Sequence, residues 1–382
     1  MTGIPEVQVR KHKVKKALIQ GGMGVGISLS GLASAVANEG GIGVIAAAAI
    51  AFNEPDFRSN YTEASIRALR KEIRKARKLT KGKIGINVMV ALSNYADMVK
   101  TGIDEGIDFI IAGAGLPLDL PELAGDNSHT ALIPIVSSGR VARLIMKSWW
   151  RHHDERLPDA FVVEGPMAGG HIGFKPSEEY PDPKDNPEYA LDKLVVEVLG
   201  AIDSFCDEYG IDRNSINIPV FAAGGIWSGE DISRIMRAGA SGVQMGTRFV
   251  TTKECDANER FPQTYIDTKE EDIVLTLSPV GMYGRVVRNE FVDKINDPEV
   301  KTSPDVCPVH CVKTCKQDKG PYCIFSVLIS AQKGKFKHGF AFAGVNAWRA
   351  TEIISVHELM MTLEREYEEA EAEAEGKAQA MG

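Results

Sequence analysis

The stretch Val220–Thr247, VFAAGGIWSGEDISRIMRAGASGVQMGT, decides the fold. It holds two short apolar runs, Val220–Ala223 and Gly242–Met245, each closed by glycine, with a helical pattern at Asp231–Arg237 between them. Runs that stay apolar without alternating fit strands buried on both faces of a parallel sheet. Working towards the N-terminus, six more runs read the same way: Ala17–Gln20, Gly43–Ala47, Ile84–Val88, Phe109–Ala112, Ile133–Val136 and Ala160–Glu164. Helical patterns follow at Leu32–Asn38, Thr62–Lys78, Tyr95–Asp104, Arg140–His152 and Tyr189–Tyr209. Strand alternates with helix, so the class is α/β. Eight units predict a closed (β/α)8 TIM barrel over residues 1–255 rather than an open sheet. Residues 256–362 read as an added C-terminal subdomain, helical and irregular, packed on the barrel. Residues 363–382 form an acidic tail, either a solvated helix or frayed chain.

Composition limits the function classes. Of 382 residues, 44% are hydrophobic and 25% charged, the balance of a globular chain that can bury a full core. The net charge of −8 argues against a general nucleic-acid binder. No run of about 18 apolar residues predicts a membrane span, and no leader is evident, so a cytoplasmic location is expected. Six cysteines are too few for a disulfide scaffold.

Glycines gather where the predicted strands end. Gln20-Gly21-Gly22-Met23-Gly24 follows the first strand, and Ser28 or Ser30 could cap the next helix. Such a turn lets a ligand approach the backbone closely, or is simply tight. No acidic partner follows about twenty residues on, so it is a poor dinucleotide fingerprint. Ala223-Gly224-Gly225 and Gly246-Thr247 follow the seventh and eighth strands, where barrels often hold a phosphate. The favoured ligand is a phosphate-bearing cofactor. Gln20 and Asn87 end strands with amides that could meet a heterocycle. Glu164-Gly-Pro-Met-Ala-Gly-Gly-His171 closes the sixth strand, and it puts a histidine, a group that titrates near neutrality, among glycines on the catalytic face.

Together IQGGMG, GINVMV, EGPMAGGH, FAAGGI, QMGTRF and GMYGRVVRN, in order from Ala17 to Asn289, resemble the nitronate monooxygenase family, which includes flavin-dependent enoyl-acyl-carrier-protein reductases. The resemblance implies a barrel holding FMN non-covalently. Gly22 and Met23 would lie by the flavin ring and Asn87 would bond it. Gly224, Gly225, Gly246 and Thr247 would hold the phosphate. Gln20, Gly169, Gly170, Ala223 and Gln244 fall in the same motifs, and His171 matches the proposed catalytic histidine. The expected reaction is oxidation of alkyl nitronates by molecular oxygen to a carbonyl compound and nitrite. The alternatives are an NAD(P)H-dependent enoyl thioester reductase, or a non-catalytic flavin-binding or electron-transfer protein. A homodimer is implied by the resemblance alone.

Four further features stay open. Ser137–Phe161 carries tryptophans and charges, and Phe174–Pro187 holds four prolines, so it reads as a lid or a passive connector. Tyr61–Lys83 carries nine Lys or Arg against two Glu, a solvated helix or a docking face for an acidic acyl carrier protein. Cys307, Cys311, Cys315 and Cys323, spaced C-x3-C-x3-C-x7-C, read as reduced structural thiols, a zinc site or an iron–sulfur site. On a helix the first three would share a face, although Pro308 allows only a helix start there.

Overall fold

A computed structural model describes residues 3–126, 128–300, 307, 309–315 and 321–381. Its centre is a closed barrel of eight parallel strands: β3 (Leu18–Gln20), β4 (Ile42–Ala46), β5 (Lys83–Met89), β6 (Phe109–Gly113), β7 (Ala131–Val136), β8 (Phe161–Glu164), β10 (Val220–Ala223) and β11 (Gly242–Met245). β11 pairs back onto β3 through Val243 and Leu18, which closes the ring. Most strand residues are buried, as their unbroken apolar runs require. All eight strands foreseen from the sequence are present, with ends shifted by at most two residues. Before the barrel, β1 (Val7–Val9) and β2 (His12–Val14) form a hairpin beneath the amino ends of the strands, where His12 packs on Phe109.

Three features escaped the sequence reading. The first is a three-stranded antiparallel sheet of β9 (Gly170–His171), β12 (Ile273–Leu277) and β13 (Tyr283–Val287), within a stretch expected to be helical and irregular. The second is the packing of the acidic tail, read as a solvated helix or frayed chain: it is helical, part of Val356–Met381, but that helix packs on the barrel helix Gly229–Arg237. Leu363 and Tyr367 are buried there, and Glu366 and Glu371 bond Gly229, Ser233 and Arg237. The third is a helix cap. Neither Ser28 nor Ser30 caps Ser30–Asn38; Asp256, 227 residues from Leu29, takes the N–H groups of Leu29, Gly31 and Leu32 at 2.7–3.1 Å. Asp256→Ala would orphan those donors, and it should cost about 1–2 kcal/mol in urea denaturation.

The proline-rich segment is anchored at its middle. Arg285 of β13, fully buried, grips Asp182 with two bonds of 2.7 Å and the carbonyl of Pro166 at 3.0 Å. Burial opposes ionisation of Asp182, but the Arg285 guanidinium more than offsets it and holds the carboxyl below its usual range. The pair therefore stabilises the fold above about pH 4, and the stabilisation is lost as pH falls through the depressed native value. Asp182→Asn should lower stability at pH 7 by about 2–3 kcal/mol, because Arg285 stays buried with half its partner gone. Chemical denaturation from pH 7 down to pH 3 should also show a flatter acid limb for the variant.

Candidate functional site

Parallel strands deliver all their carboxyl ends to one mouth, and a cavity of about 480 Å³ lies there. Every barrel strand or the loop after it contributes: Gly22 and Met23, Ala48, Asn87, Gly113, Ser137, Glu164, Gly224 and Gln244 all line it. A volume of this size falls in the range of small-molecule and cofactor sites. The loop segment Phe342–Asn346 crosses the mouth. It is held by the hydroxyl of Tyr265, which donates to the Phe342 carbonyl, by the Gly344 N–H, which donates to Thr247 Oγ1 at 2.9 Å, and by Asn346 Nδ2, which donates to Gly225 O at 2.7 Å.

The glycines before His171 answer to this crossing rather than to a ligand. A Cβ on Gly169 would lie 2.5 Å from the Gly344 nitrogen, and Gly170 has φ +81°, which L side chains rarely adopt. His171 then pairs with Gly284 in the antiparallel sheet, with Phe342 edge-on to its ring at 5.0 Å. Its position comes from the mouth-covering sheet, not from the barrel strand before it. Gly224 is likewise required by the protein, since a Cβ there would lie 2.9 Å from the Gly165 carbonyl.

Most residues expected from the sequence meet at the cavity. Gly22, Met23, Asn87, Gly169, Gly170, His171, Ala223, Gly224, Gly225, Gln244, Gly246 and Thr247 all line it. Gln20 does not. Its amide is consumed by the backbone, donating to Gly21 O at 2.5 Å and accepting from Val44 N–H at 2.9 Å, so it ties β3 to β4 beneath the cavity. Asn87 spends one donor on the Ile111 carbonyl at 3.3 Å. His171 Nε2 and Gln244 Oε1 are buried without any partner. Unpaired polar atoms on a cavity wall are what a polar ligand would satisfy. Ser137 and Val141 bring the tryptophan-bearing segment to the wall, whereas no residue of Phe174–Pro187 lines it; Gly173, just before that segment, does.

Electrostatics alter the expectation for His171. Burial holds its imidazole down to about 4, so it is neutral at pH 7 rather than poised near neutrality. The sequence reading assigned no role to Glu164, which lies on the same cavity wall. Burial pushes its carboxyl up to about 7, and no positively charged side chain lines the cavity among the described residues. Both shifts come from burial, which disfavours the charged form of each group, and two such groups in one pocket are candidates for proton transfer. Glu164 was visible in the EGPMAGGH motif, but only the cavity shows that it has no counter-ion among the described residues.

Elsewhere, Trp149 donates to the Pro117 carbonyl at 3.0 Å and Trp150 packs on Phe205 and Tyr209, so the tryptophans join helices. The arginines of the basic helix Tyr61–Leu79 already face carboxylates: Arg74 grips Glu105 with two 2.7 Å bonds, Arg70 lies 3.4 Å from Glu105, and Arg77 lies 3.0 Å from Asp108. Among its described residues the cysteine segment shows no helix before Ile324, and Val312 bridges Leu92 antiparallel. No helix among the described residues is long and apolar enough to cross a membrane.

Comparison with known proteins agrees with this geometry. The solved structure of FabK from Thermotoga maritima is 26% identical, with a TM-score of 0.70 over 95% of this chain and 96% of that one. A nitroalkane oxidase from Streptomyces ansochromogenes shares the fold at 21% identity and a TM-score of 0.69, covering 94% and 98%. A Mycobacterium tuberculosis enzyme, (3aS,4S,5R,7aS)-5-hydroxy-7a-methyl-1-oxo-octahydro-1H-indene-4-carboxyl-CoA dehydrogenase, is 27% identical over 285 residues, which are 74% of this chain and 66% of that protein. A probable nitronate monooxygenase of Staphylococcus aureus is 32% identical over 143 residues, 37% of this chain and 35% of the relative. Residues 6–366 match the family model described as nitronate monooxygenase. With that match spanning the barrel, the mouth-covering sheet and the start of the terminal helix, the chain belongs to the nitronate monooxygenase family of oxidoreductases.

Proposed function

We propose that the chain is an FMN-dependent oxidoreductase whose cavity takes a neutral, electron-poor substrate, with enoyl thioester reduction the first reading. The carrying observation is a cavity with no cation on its wall among the described residues, where His171 is neutral and burial raises the Glu164 carboxyl to about 7, so that it is partly protonated at neutral pH. The fit to a flavin rests on the unpaired Gln244 Oε1 and on the glycine loops at Gly224–Gly225 and Gly246–Thr247. Those loops would hold the phosphate through main-chain N–H groups, and Asn87 with Gly22 and Met23 would sit against the ring. A bound flavin would supply hydride chemistry, which no side chain can provide.

The chain's own residues handle protons and orientation. Protonated Glu164 is a proton source for the α-carbon of an α,β-unsaturated thioester as its double bond is reduced. Neutral His171 has one ring N–H with which to hold a carbonyl oxygen. The crossing segment Phe342–Asn346 screens the cavity from water, and this strengthens both interactions. FabK, an enoyl reductase aligned over nearly the whole chain, supports the reading. A second reading, nitronate chemistry, draws on the same neutral imidazole. In its base form at pH 7, His171 could take the proton of a neutral nitroalkane, whereas an anionic nitronate would find no counter-charge.

Both readings are tested on one preparation. NADH or NADPH oxidation coupled to a short-chain enoyl thioester should be rapid, while propyl-2-nitronate should give little oxygen uptake. Nitrite release with indifference to NAD(P)H would reverse the order. Turnover of the enoyl thioester should fall as pH rises through about 7, where Glu164 loses its proton. Glu164→Gln should lower kcat about 100-fold and remove that limb; an unchanged pH profile would exclude Glu164 as the acid. His171→Ala should keep the flavin absorbance and lower turnover by about 100-fold or more.

A further inference from the structure

The four clustered cysteines lie beside the cavity and take no part in the chemistry described so far. Their segment is fastened to the loop after β5: Ser93 N–H donates to Cys311 O at 3.1 Å, Lys313 N–H donates to Ala91 O at 2.8 Å, and Val312 bridges Leu92. Cys323 sits at the N-cap of the helix Ile324–Gln332. Residues between and beside the thiols, namely Val312, Thr314, Ile324, Phe325 and Leu328, line the cavity itself. Cys311 is buried and the other three half-buried, and all four are free thiols. They are close enough for Cys323, Cys307 and Cys315 each to act electrostatically on Cys311.

We propose that Cys307, Cys311, Cys315 and Cys323 hold an iron–sulfur cluster in the wall of the cavity.

Three observations favour a cluster over a single zinc ion. Zinc with bonds of about 2.3 Å in a tetrahedron needs thiolates about 3.8 Å apart. Among the described residues, the one group of three or more ligand types drawn within 4.8 Å is His12, Asp108 and His129, not these thiols. That other group is unsuited to a metal, because Arg77 lies 3.0 Å and Lys83 3.9 Å from Asp108. Next, the C-x3-C-x3-C-x7-C spacing lacks the two widely separated cysteine pairs of structural zinc sites, whereas four cysteine thiolates in one short stretch are a usual ligand set of a polynuclear cluster. Finally, the site is shaped for a buried anionic group. Tyr322, Ile324, Phe325 and Val312 form a low-dielectric shell, and the nine-residue helix directs its N-terminus to Cys323. A cluster would also fasten a segment that pairs little with itself. Among its described residues, the stretch between the helices Glu290–Asn296 and Ile324–Gln332 has one β-bridge as its only regular pairing.

The position suggests a role that rests on the flavin reading, although cluster binding itself does not. A cluster in the cavity wall gives electrons an entry one at a time, two per reducing cycle, from a reduced one-electron carrier protein. Such a route would supplement or replace NAD(P)H as the source of reducing equivalents.

The test is metal and acid-labile sulfide analysis of the full chain, purified anaerobically from iron-supplied cells. About four iron and four sulfide per chain are expected, with visible absorption that dithionite bleaches. Cys315→Ser should lower the iron content several-fold, while Cys206→Ser, on the distant helix Leu191–Tyr209, should leave it unchanged. One zinc per chain without sulfide would overturn the proposal, as would metal-free protein from these cells. Flavin is released by acid and measured separately, so an iron-loaded chain without flavin would count against the flavin reading alone. If Cys315→Ser fails to fold, the wild-type iron and sulfide content still decides the matter.

Discussion

Closure of a parallel sheet is the constraint on which the rest of this molecule depends. Because all eight strands run one way, every carboxyl end opens at one mouth, and the loops that follow must share that space. The glycines there are conditions of assembly before they are a binding surface. Gly169 and Gly224 admit neighbouring backbone that a side chain would exclude. The C-terminal third of the chain then covers the mouth with a small antiparallel sheet and the crossing segment Phe342–Asn346. That cover narrows the open barrel end to a partly covered cavity.

Burial sets the chemistry of the cavity. The same burial lowers His171 and raises Glu164, because in each case it disfavours the charged form. The result is a site with proton-handling groups and little net charge near neutral pH. Charge is used elsewhere as structure. The buried Arg285 grips Asp182 and the Pro166 carbonyl, which anchors both the proline-rich segment and the loop leading to His171. The barrel's arginine-rich helix spends its charge on neighbouring carboxylates.

The barrel was legible because strands buried on both faces must be apolar throughout, and glycines punctuate their ends. The site was largely legible for a related reason: residues at strand ends necessarily share the mouth. The misreadings had physical causes too. Gln20 stood at a strand end, but its amide met the backbone hydrogen-bonding needs of β3 and β4 first. Ser28 and Ser30 lay where a cap belongs, yet Asp256 reaches across the fold to do that work. The sheet of β9, β12 and β13 went unseen because β9 has only two residues, β12 is largely half-exposed and β13 carries glycine and arginine, so none reads as a fully buried apolar run. The acidic tail read as a solvated helix or frayed chain, and what went unseen is its buried face, set by Leu363 and Tyr367 against a distant partner.

What the sequence determined by itself was local and periodic: the alternation of strand and helix, the closed parallel barrel, and the set of residues able to gather at its mouth. These follow from hydrophobic spacing and turn chemistry, which act over a few residues. Only the tertiary structure decided which of those side chains face the cavity and which are spent on the backbone. It also decided that His171 is neutral, that Glu164 has no counter-ion among the described residues, and that the cysteines border the cavity wall. Burial, ionisation and proximity are properties of the assembled surroundings, brought together from residues more than a hundred positions apart.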